Sequence, residues 1–461
     1  MTNALHQLSD WVATVSAEDF PDQWEKAKEW ALISLVDTIG CTIGGSDHPA
    51  THACYNMVTD WSQGDVSVVG QAAGLAAPWA ALVNGTAGHA LDFNGWDPPT
   101  ASNSLPVMLA ALLAIAEAEN KTGADVIDAY IVGMEATLRI GEAINLAHYH
   151  LGWHTTSTVA AVGAAAGCAR LLGLNSAETA HAISISTSQA SGYKSQFGTP
   201  MKLVHSGMGA KTGVLSAYMA KSGITASPDA LDGKWSFLSL QAGETAPGFD
   251  VPMSKLGKQL ALVEYGIVIK PYPSCAYTHR AIDGLRDMQA KHRFSAEMVE
   301  KITARIPFHN AAILTYPDPV DDTQARFSMP YCLAVALRNG TVLPEDFEEE
   351  AIFDPANRAL LGLTTLEAHA LDNESSDISI QQPAIVTVML KDGSQLEMTV
   401  DHARGMPQRM YSSAELEAKF TSLAAGKLGD SACVDLLVQL WDFERVEDVS
   451  SLMRAITLSG E

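Results

Sequence analysis

The chain has 461 residues, of which 47% are apolar and 18% are charged, and its formal net charge at pH 7 is −24. This length and apolar content suit two or three domains with large buried cores and exclude a disordered chain. The acidic balance argues against a nucleic-acid partner or an anionic membrane surface, since both require a basic surface. Six scattered cysteines without a CxxC pair exclude a disulfide scaffold.

The N-terminal segment has neither the basic start and apolar centre of a signal peptide nor the basic character of a transit peptide. The longest uninterrupted apolar stretch, residues 105–116, is too short to span a bilayer. We therefore expect a cytoplasmic protein.

The first two thirds of the sequence show the apolar spacing of helices, with faces rich in Ala and Gly that let helices approach closely. The predicted helices are Trp24–Ile43, Pro78–Leu91, Leu105–Glu119, Ala124–Ile144, Thr158–Leu172 and Gly207–Ser222. This part of the chain should form a tightly packed, multilayered helical core.

The pattern changes near Lys270, where strands begin to mix with helices. The predicted elements are the helix Arg280–Lys291, the strand Ile302–Pro307, and a hairpin of Ala384–Leu390 and Gln395–Val400 around an Asp-Gly turn. The pattern is helical again from Ser413. The sequence therefore predicts a mainly α protein: a large all-helical domain built from both chain ends, 1–269 and 406–461, plus a smaller α+β domain, 270–405.

Asp92 is the first candidate for chemistry, because it follows a predicted helix and precedes a loop rich in Gly and Pro. A carboxylate at such a place could act as a base or orient a hydroxyl. On residue pattern alone, a solvated acid at a helix end is the more common explanation.

Residues 148–154 contain three histidines, His148, His150 and His154, which is a composition typical of metal sites. Gly152, however, interrupts the extended segment before His154, and no HExxH motif accompanies the histidines. We therefore expect no metal. His154 precedes the predicted helix 155–172, whose dipole would keep the imidazole neutral and attract a carboxylate. A capping or packing role for His154 stays open.

Lys202 and His205 are three residues apart, so they share a face of a helical turn, and together they could grip a substrate with two or three carboxylates. A solvated basic patch is the alternative. His279 lies where the helical and α+β parts meet, and clefts between domains often bind ligands. It could also be a plain helix cap, and nearby Cys275 is best explained as a buried structural thiol.

Taken together, these segments resemble the MmgE/PrpD family over nearly the whole chain. The matching segments are residues 35–40, 84–93, 152–157, 202–207, 270–279 and 325–331. The resemblance implies a homodimer, chemistry without a cofactor, and substrates that are small di- or tricarboxylates. It places active-site residues at Asp92, His154, Lys202 and His279, and also at Tyr331.

Two departures from the family pattern stand out. The family's Asp-Phe-Asp-Asp is here Asp92-Phe93-Asn94-Gly95, and the usual His-Pro-Ser is replaced within residues 99–104. One active-site histidine of the family is therefore missing, and Trp96 or Asn103 could shape a different pocket.

The resemblance makes a lyase the first functional hypothesis, most simply one that dehydrates a 2-methylcitrate-like hydroxy acid. The alternatives are an epimerase of an iminodisuccinate-like dicarboxylate, a cis-aconitate-type decarboxylase and a carboxylate-binding protein without activity. In this hypothesis Lys202 and His279 grip substrate and transfer protons, His154 is the acid–base group and Asp92 orients or abstracts a proton. The expected additional substrate-binding residues are His205, Tyr331 and Trp96.

Overall fold

A computed structural model describes residues 3–371 and 382–457. The protein is mainly α-helical, with about 60% of residues in helices and one small four-stranded sheet, as the sequence predicts. Within the described ranges, none of the helices combines the length and the apolar character needed to cross a membrane.

Thirteen helices precede residue 270 in the described part of the chain. They are α1 (Ala4–Thr14), α2 (Pro21–Gly44), α3 (Pro49–Thr59), α4 (Ala77–Ala90), α5 (Ser104–Ala118), α6 (Gly123–Ile144), α7 (Ala147–His150), α8 (Val159–Leu171), α9 (Ser176–Thr187), α10 (Pro200–Lys221), α11 (Phe237–Gln241), α12 (Asp250–Lys255) and α13 (Ala261–Tyr265). The longer predicted helices are confirmed to within a few residues, except at the start of α10.

Helix α10 begins at Pro200, seven residues before the predicted start at Gly207. Pro200 lies in the first helical turn, where proline needs no hydrogen-bonding partner. Gly207 lies inside the helix, where a Cβ atom would come within 2.0 Å of the Leu82 carbonyl oxygen on α4. The glycine therefore marks the close contact between α4 and α10 rather than a helix boundary.

The segment after residue 270 forms a second hydrophobic core around the sheet. Its elements are α14 (Ala276–His292), β1 (Val299–Ile306), α15 (Phe308–Ala311), α16 (Asp322–Ala325), α17 (Met329–Asn339), α18 (Glu349–Ile352), α19 (Pro355–Leu361), β2 (Thr364–Ala368), β3 (Ala384–Leu390) and β4 (Gln395–Val400). The strand order is β2-β1-β3-β4, and the β3–β4 hairpin has the predicted bounds. Strand β2, which pairs parallel to β1, was not predicted.

The chain ends in three further helices in the described residues: α20 (Ser413–Leu428), α21 (Asp430–Trp441) and α22 (Val449–Arg454). Their apolar residues, among them Leu416, Phe420 and Leu440, join the same hydrophobic core as α1–α13. The exact boundaries at 269/270 and 405/406 stay a prediction.

A buried lysine of α20 ties this C-terminal segment to the rest of the molecule. The Lys419 ammonium donates to Asp37 Oδ1 on α2 at 2.7 Å, to the Phe93 carbonyl at 2.6 Å and to the Lys270 carbonyl at 3.0 Å. The second Asp37 oxygen accepts the Gly95 amide at 2.7 Å. One ion pair thus fixes α2, α20, the loop after α4 and the segment that leads to α14.

Replacing Lys419 should test this connection. Lys419→Met leaves the buried Asp37 carboxylate without its cation, so the free energy of unfolding should fall by about 3–5 kcal/mol. Lys427→Met is the matched control, because Lys427 is on the same helix but pairs with the exposed Asp47, and it should cost less than about 1 kcal/mol. Chemical denaturation measures both values, and equal losses would contradict the assignment.

Candidate active site

Asp92 lies at the centre of a buried charged cluster. Helix α4 ends at Ala90, and Asp92 then adopts a left-handed backbone conformation with φ of 48°. Such a conformation is uncommon for a residue other than glycine, although aspartate adopts it more readily than most residues. The Asp92 side chain is almost completely buried, and its Oδ1 atom accepts from two lysines, Lys202 at 2.7 Å and Lys270 at 2.8 Å.

The two lysines set the charge of the cluster. Burial alone would raise the pKa of the Asp92 carboxyl, but Lys202 and Lys270 outweigh burial and hold that pKa well below its usual range. Burial lowers the pKa of Lys202, and Asp92 opposes this shift. One carboxylate between two ammonium groups leaves the cluster with a net positive charge, which favours an anionic ligand.

The two ammonium groups differ in how many of their hydrogens are already used. Lys270 donates to Asp92 Oδ1, to the Asp92 carbonyl at 3.0 Å and to the Ser274 carbonyl at 3.2 Å, which accounts for its three N–H bonds. Lys202 donates only to Asp92 among the described residues. Lys202 therefore retains two N–H bonds for a ligand, whereas Lys270 holds the cluster together.

A histidine pair lies beside the lysines. The Nδ1 atoms of His154 and His205 are 2.9 Å apart, so one ring donates and the other accepts. Burial, helped by His205 and Lys202, lowers the pKa of His154 far below its ordinary value, and burial lowers the pKa of His205 to about 4. Both imidazoles are neutral at pH 7. The expected helix dipole is not the cause, because α8 begins only at Val159.

A cavity lies beside this cluster, and Asp92, Lys202, Lys270 and His154 face it. It has about 490 Å³ of space free of protein atoms, including its open mouth. The charged and polar lining comes from Asp92, Lys202, Lys270, His154, Asn103 and two tyrosines, and the apolar lining from Trp96, Ala101, Phe197, Cys275, Ala276 and Phe327. We call this space the lysine pocket. It suits a small ligand that carries several carboxylates and an apolar edge.

Comparisons with known proteins agree with this chemistry. A family model described as the MmgE/PrpD N-terminal domain matches residues 6–250, and one described as the MmgE/PrpD C-terminal domain matches residues 272–442. The chain belongs to the MmgE/PrpD family.

Curated relatives of this MmgE/PrpD chain include proteins named for an activity. The human cis-aconitate decarboxylase is 27% identical over 91% of this chain and 88% of its own length. The cis-aconitate decarboxylase-like protein oryM of Aspergillus oryzae is 26% identical over 100% of this chain and 98% of its own length. The cis-aconitate decarboxylase of Aspergillus terreus is 24% identical over 98% of this chain and 95% of its own length.

The structure brings four of the predicted site residues of this MmgE/PrpD protein to one pocket: Asp92, His154, Lys202 and Trp96. His205 lies behind His154 and contacts it directly. Their catalytic and binding roles stay predictions, and the geometry shows only that they share one space.

His279 and Tyr331 lie outside the lysine pocket. The Nε2 atom of His279 bonds with the Ser274 carbonyl at 3.1 Å, and the ring faces a neighbouring cavity that shares Trp96 and Tyr277 with the lysine pocket. Tyr331 is fully buried in the second core, where its hydroxyl donates to the Asp346 carbonyl. Neither side chain lines the lysine pocket, but His279 adjoins the charged cluster, because the Ser274 carbonyl that it contacts also accepts from Lys270 at 3.2 Å.

The other two histidines of the His-rich segment point in separate directions. His148 Nδ1 bonds with the Gln241 carbonyl at 2.9 Å and Nε2 with Thr158 Oγ1 at 2.7 Å. His150 stacks on His309, with ring centroids 3.8 Å apart. Within residues 3–371 and 382–457, no three side chains of the metal-ligating kinds come together.

The departures from the family pattern have visible consequences. Asn94 donates from Nδ2 to the Gly95 carbonyl at 2.8 Å, so its Oδ1 faces His89 Nδ1 at 2.8 Å and His89 is the donor. An aspartate at position 94 would favour an imidazolium; with asparagine, burial and Lys202 lower the pKa of His89 to about 3. Asn103 and Trp96, which the sequence suggested could shape a different pocket, both line the lysine pocket.

Lys270 and Tyr149 are site residues that the sequence analysis did not select. Lys270 lies at the predicted domain boundary, in the segment Lys-Pro-Tyr-Pro. Because basic residues are few in this acidic chain, a lysine at that boundary was a signal that could have identified it as a site residue. Tyr149 lay between two histidines that drew attention to metal binding. Its place in the pocket depends on the short helix α7, which the sequence pattern does not reveal.

The neutral state of His205 predicts how stability depends on pH. An unfolded histidine titrates near 6.5, whereas folded His205 titrates near 4. Between these values the unfolded chain binds a proton that the folded chain does not, so the free energy of unfolding falls as the pH falls. His205→Gln should remove up to about 1.4 kcal/mol per pH unit from this slope. Urea denaturation between pH 4.5 and 7.5 measures it, and parallel curves would contradict the prediction.

Proposed function

We propose that this chain is a cofactor-independent lyase that acts on a tricarboxylate, with decarboxylation of a cis-aconitate-like acid as the first candidate reaction. The observation that carries the proposal is the buried, net positive cluster in which Lys202 keeps two N–H bonds for a ligand. The names of the curated relatives support the choice of substrate and reaction.

The arrangement suits the loss of CO₂ from an acid whose leaving carboxylate is one carbon away from a C=C bond. The breaking C–C bond supplies the electron pair of a new C=C bond, and the old double bond moves its pair to a carbon beside a remaining carboxylate. Negative charge then spreads onto that carboxylate, as in an enolate. Fixed cations in a buried pocket stabilise such charge strongly, and Lys202 and Lys270 are in place to do so.

The same intermediate needs one proton to become the product. Burial lowers the pKa of Lys202, which makes its ammonium a better proton donor than an exposed lysine. Asp92 is a poor base, because its two lysines keep it ionised and hold its pKa low. The proposed roles are as follows: Lys202 binds the substrate and donates the proton, Lys270 holds Asp92 in place, and His154 orients the substrate.

Dehydration of a hydroxy-tricarboxylate is the second candidate, because it passes through similar charge next to a carboxylate. It additionally requires a base for the C–H proton. The neutral imidazole of His154 lines the pocket and is the proposed base for this reaction, a weaker one than an exposed histidine because burial lowers its pKa. This assignment keeps the sequence-based hypothesis of a hydro-lyase open to a direct test.

Product analysis in D₂O separates the candidates. The chain is incubated with cis-aconitate and, separately, with 2-methylcitrate, and the mixtures are followed by NMR and by CO₂ release. Decarboxylation should give CO₂ and an unsaturated dicarboxylate with one deuterium per CO₂, because the Lys202 protons exchange with solvent. An alkene from the hydroxy acid would instead identify a dehydratase. No product and no deuterium incorporation from either acid would overturn the proposal of a lyase.

Substitution of the two lysines tests their separate roles. Lys202→Met should lower kcat at least about 100-fold with little change in unfolding temperature, since Lys270 still neutralises Asp92. Lys270→Met should also lower the free energy of unfolding by about 3–5 kcal/mol, because it removes a buried cation and leaves the Asp92 and Ser274 carbonyls without the hydrogen bonds that Lys270 donates. Lys211→Met is the control on the same helix: Lys211 lies over the Trp79 ring, and its loss should leave kcat unchanged. Equal kinetic effects of Lys202→Met and Lys211→Met would contradict the assignment.

A further inference from the structure

A third lysine, Lys194, lies next to the lysine pocket without lining it. The Lys194 ammonium is 3.9 Å from the centroid of the Tyr149 ring. Among the described residues, no carboxylate forms an ion pair with it, although the chain has 53 acidic side chains and 29 basic ones. A partly buried lysine usually has a counter-ion, so an unpaired one beside a pocket indicates an anion that arrives from outside the protein.

The position of Lys194 is fixed by the segment that carries His154. The Lys194 amide donates to the Gly152 carbonyl at 2.8 Å, and the His154 amide donates to the Gly192 carbonyl at 2.9 Å. Residues 152–154 and 192–194 therefore run side by side as a short pair of extended segments. Lys194 and His154 are held in one rigid unit, so Lys194 keeps a defined place relative to the pocket.

Tyr149 connects this lysine to the pocket interior. Its side chain lines the lysine pocket and is 6% exposed. Its hydroxyl oxygen accepts from the Tyr277 hydroxyl at 3.3 Å. With the Tyr277 hydroxyl as the donor of this bond, the hydroxyl hydrogen of Tyr149 is directed away from Tyr277, and no hydrogen bond from it to another residue is found in the described part of the chain. That hydrogen is consequently available to a ligand oxygen in the pocket.

We propose that Tyr149 and Lys194 form the subsite for a substrate carboxylate that does not react, with the Tyr149 hydroxyl donating the hydrogen bond and Lys194 supplying positive charge from the face of the ring. This inference rests on the proposed function and adds how the substrate is selected. The Asp92 cluster has a net charge of one positive unit, and a tricarboxylate carries three negative charges. A further cation outside the cluster makes the pocket selective for acids with an additional carboxylate. In this assignment Tyr149 touches the substrate, and Lys194 is a positioning residue.

Binding of two probes tests the subsite. Isothermal titration measures the affinity of the full chain for propane-1,2,3-tricarboxylate and for pentanedioate, which lacks the central carboxylate. Tyr149→Phe and Lys194→Met should each lower the affinity for the tricarboxylate about tenfold. The affinity for pentanedioate should fall less than threefold. Lys194→Arg, which keeps a cation over the ring, should restore most of the affinity for the tricarboxylate. With the tricarboxylate substrate, KM should rise while kcat stays within about threefold of wild type.

The controls separate failure of the subsite from failure of the proposed function. Lys211→Met removes another half-buried lysine that lies over an aromatic ring and should leave both affinities unchanged. Equal weakening of both probes by Lys194→Met would show a merely structural role and overturn the subsite. A tricarboxylate preference that survives Tyr149→Phe would do the same. If wild type binds neither probe, the proposed function fails together with the subsite.

Discussion

The Asp92 carboxylate and the two ammonium groups that share it form the interaction around which the candidate site is built. Burying three charges is costly, and the arrangement persists only because each charge has a partner and further hydrogen bonds. Lys270 has every N–H bond occupied, whereas Lys202 does not. This asymmetry divides a superficially equivalent pair into one structural lysine and one that faces the ligand.

The same constraint explains why distant parts of the sequence meet at this point. Asp92 follows α4, Lys202 lies in the first turn of α10, and Lys270 comes from the segment before α14. The Lys419–Asp37 pair then fixes the backbone carbonyls of Phe93 and Lys270 from the opposite end of the chain. Three buried ion pairs, linked through one stretch of backbone, therefore help to hold these elements together.

The sequence predicted the helices with strong apolar spacing and the hairpin with an Asp-Gly turn, because these signals are local. It missed β2, whose pairing with β1 is set by residues some sixty positions away, and it took Gly207 as a helix start although this glycine serves a contact with α4. Of the candidate site, Asp92, His154, Lys202 and Trp96 were recognised from residue type and family pattern. The pattern cannot show that His279 and Tyr331 lie outside the lysine pocket or that Lys270 completes the cluster, since position and orientation depend on tertiary contacts.

The dependence of the pocket on Lys419 has a consequence for biosynthesis. The lysine that braces the carbonyls of Phe93 and Lys270 lies more than 140 residues after the last pocket-lining lysine. A nascent polypeptide that has already emerged from the ribosome through α14 still lacks this brace. The charged pocket therefore lacks this support until α20 has been synthesised, so shortened products that end before α20 would carry the ligand-facing residues without the ion pair that braces their backbone.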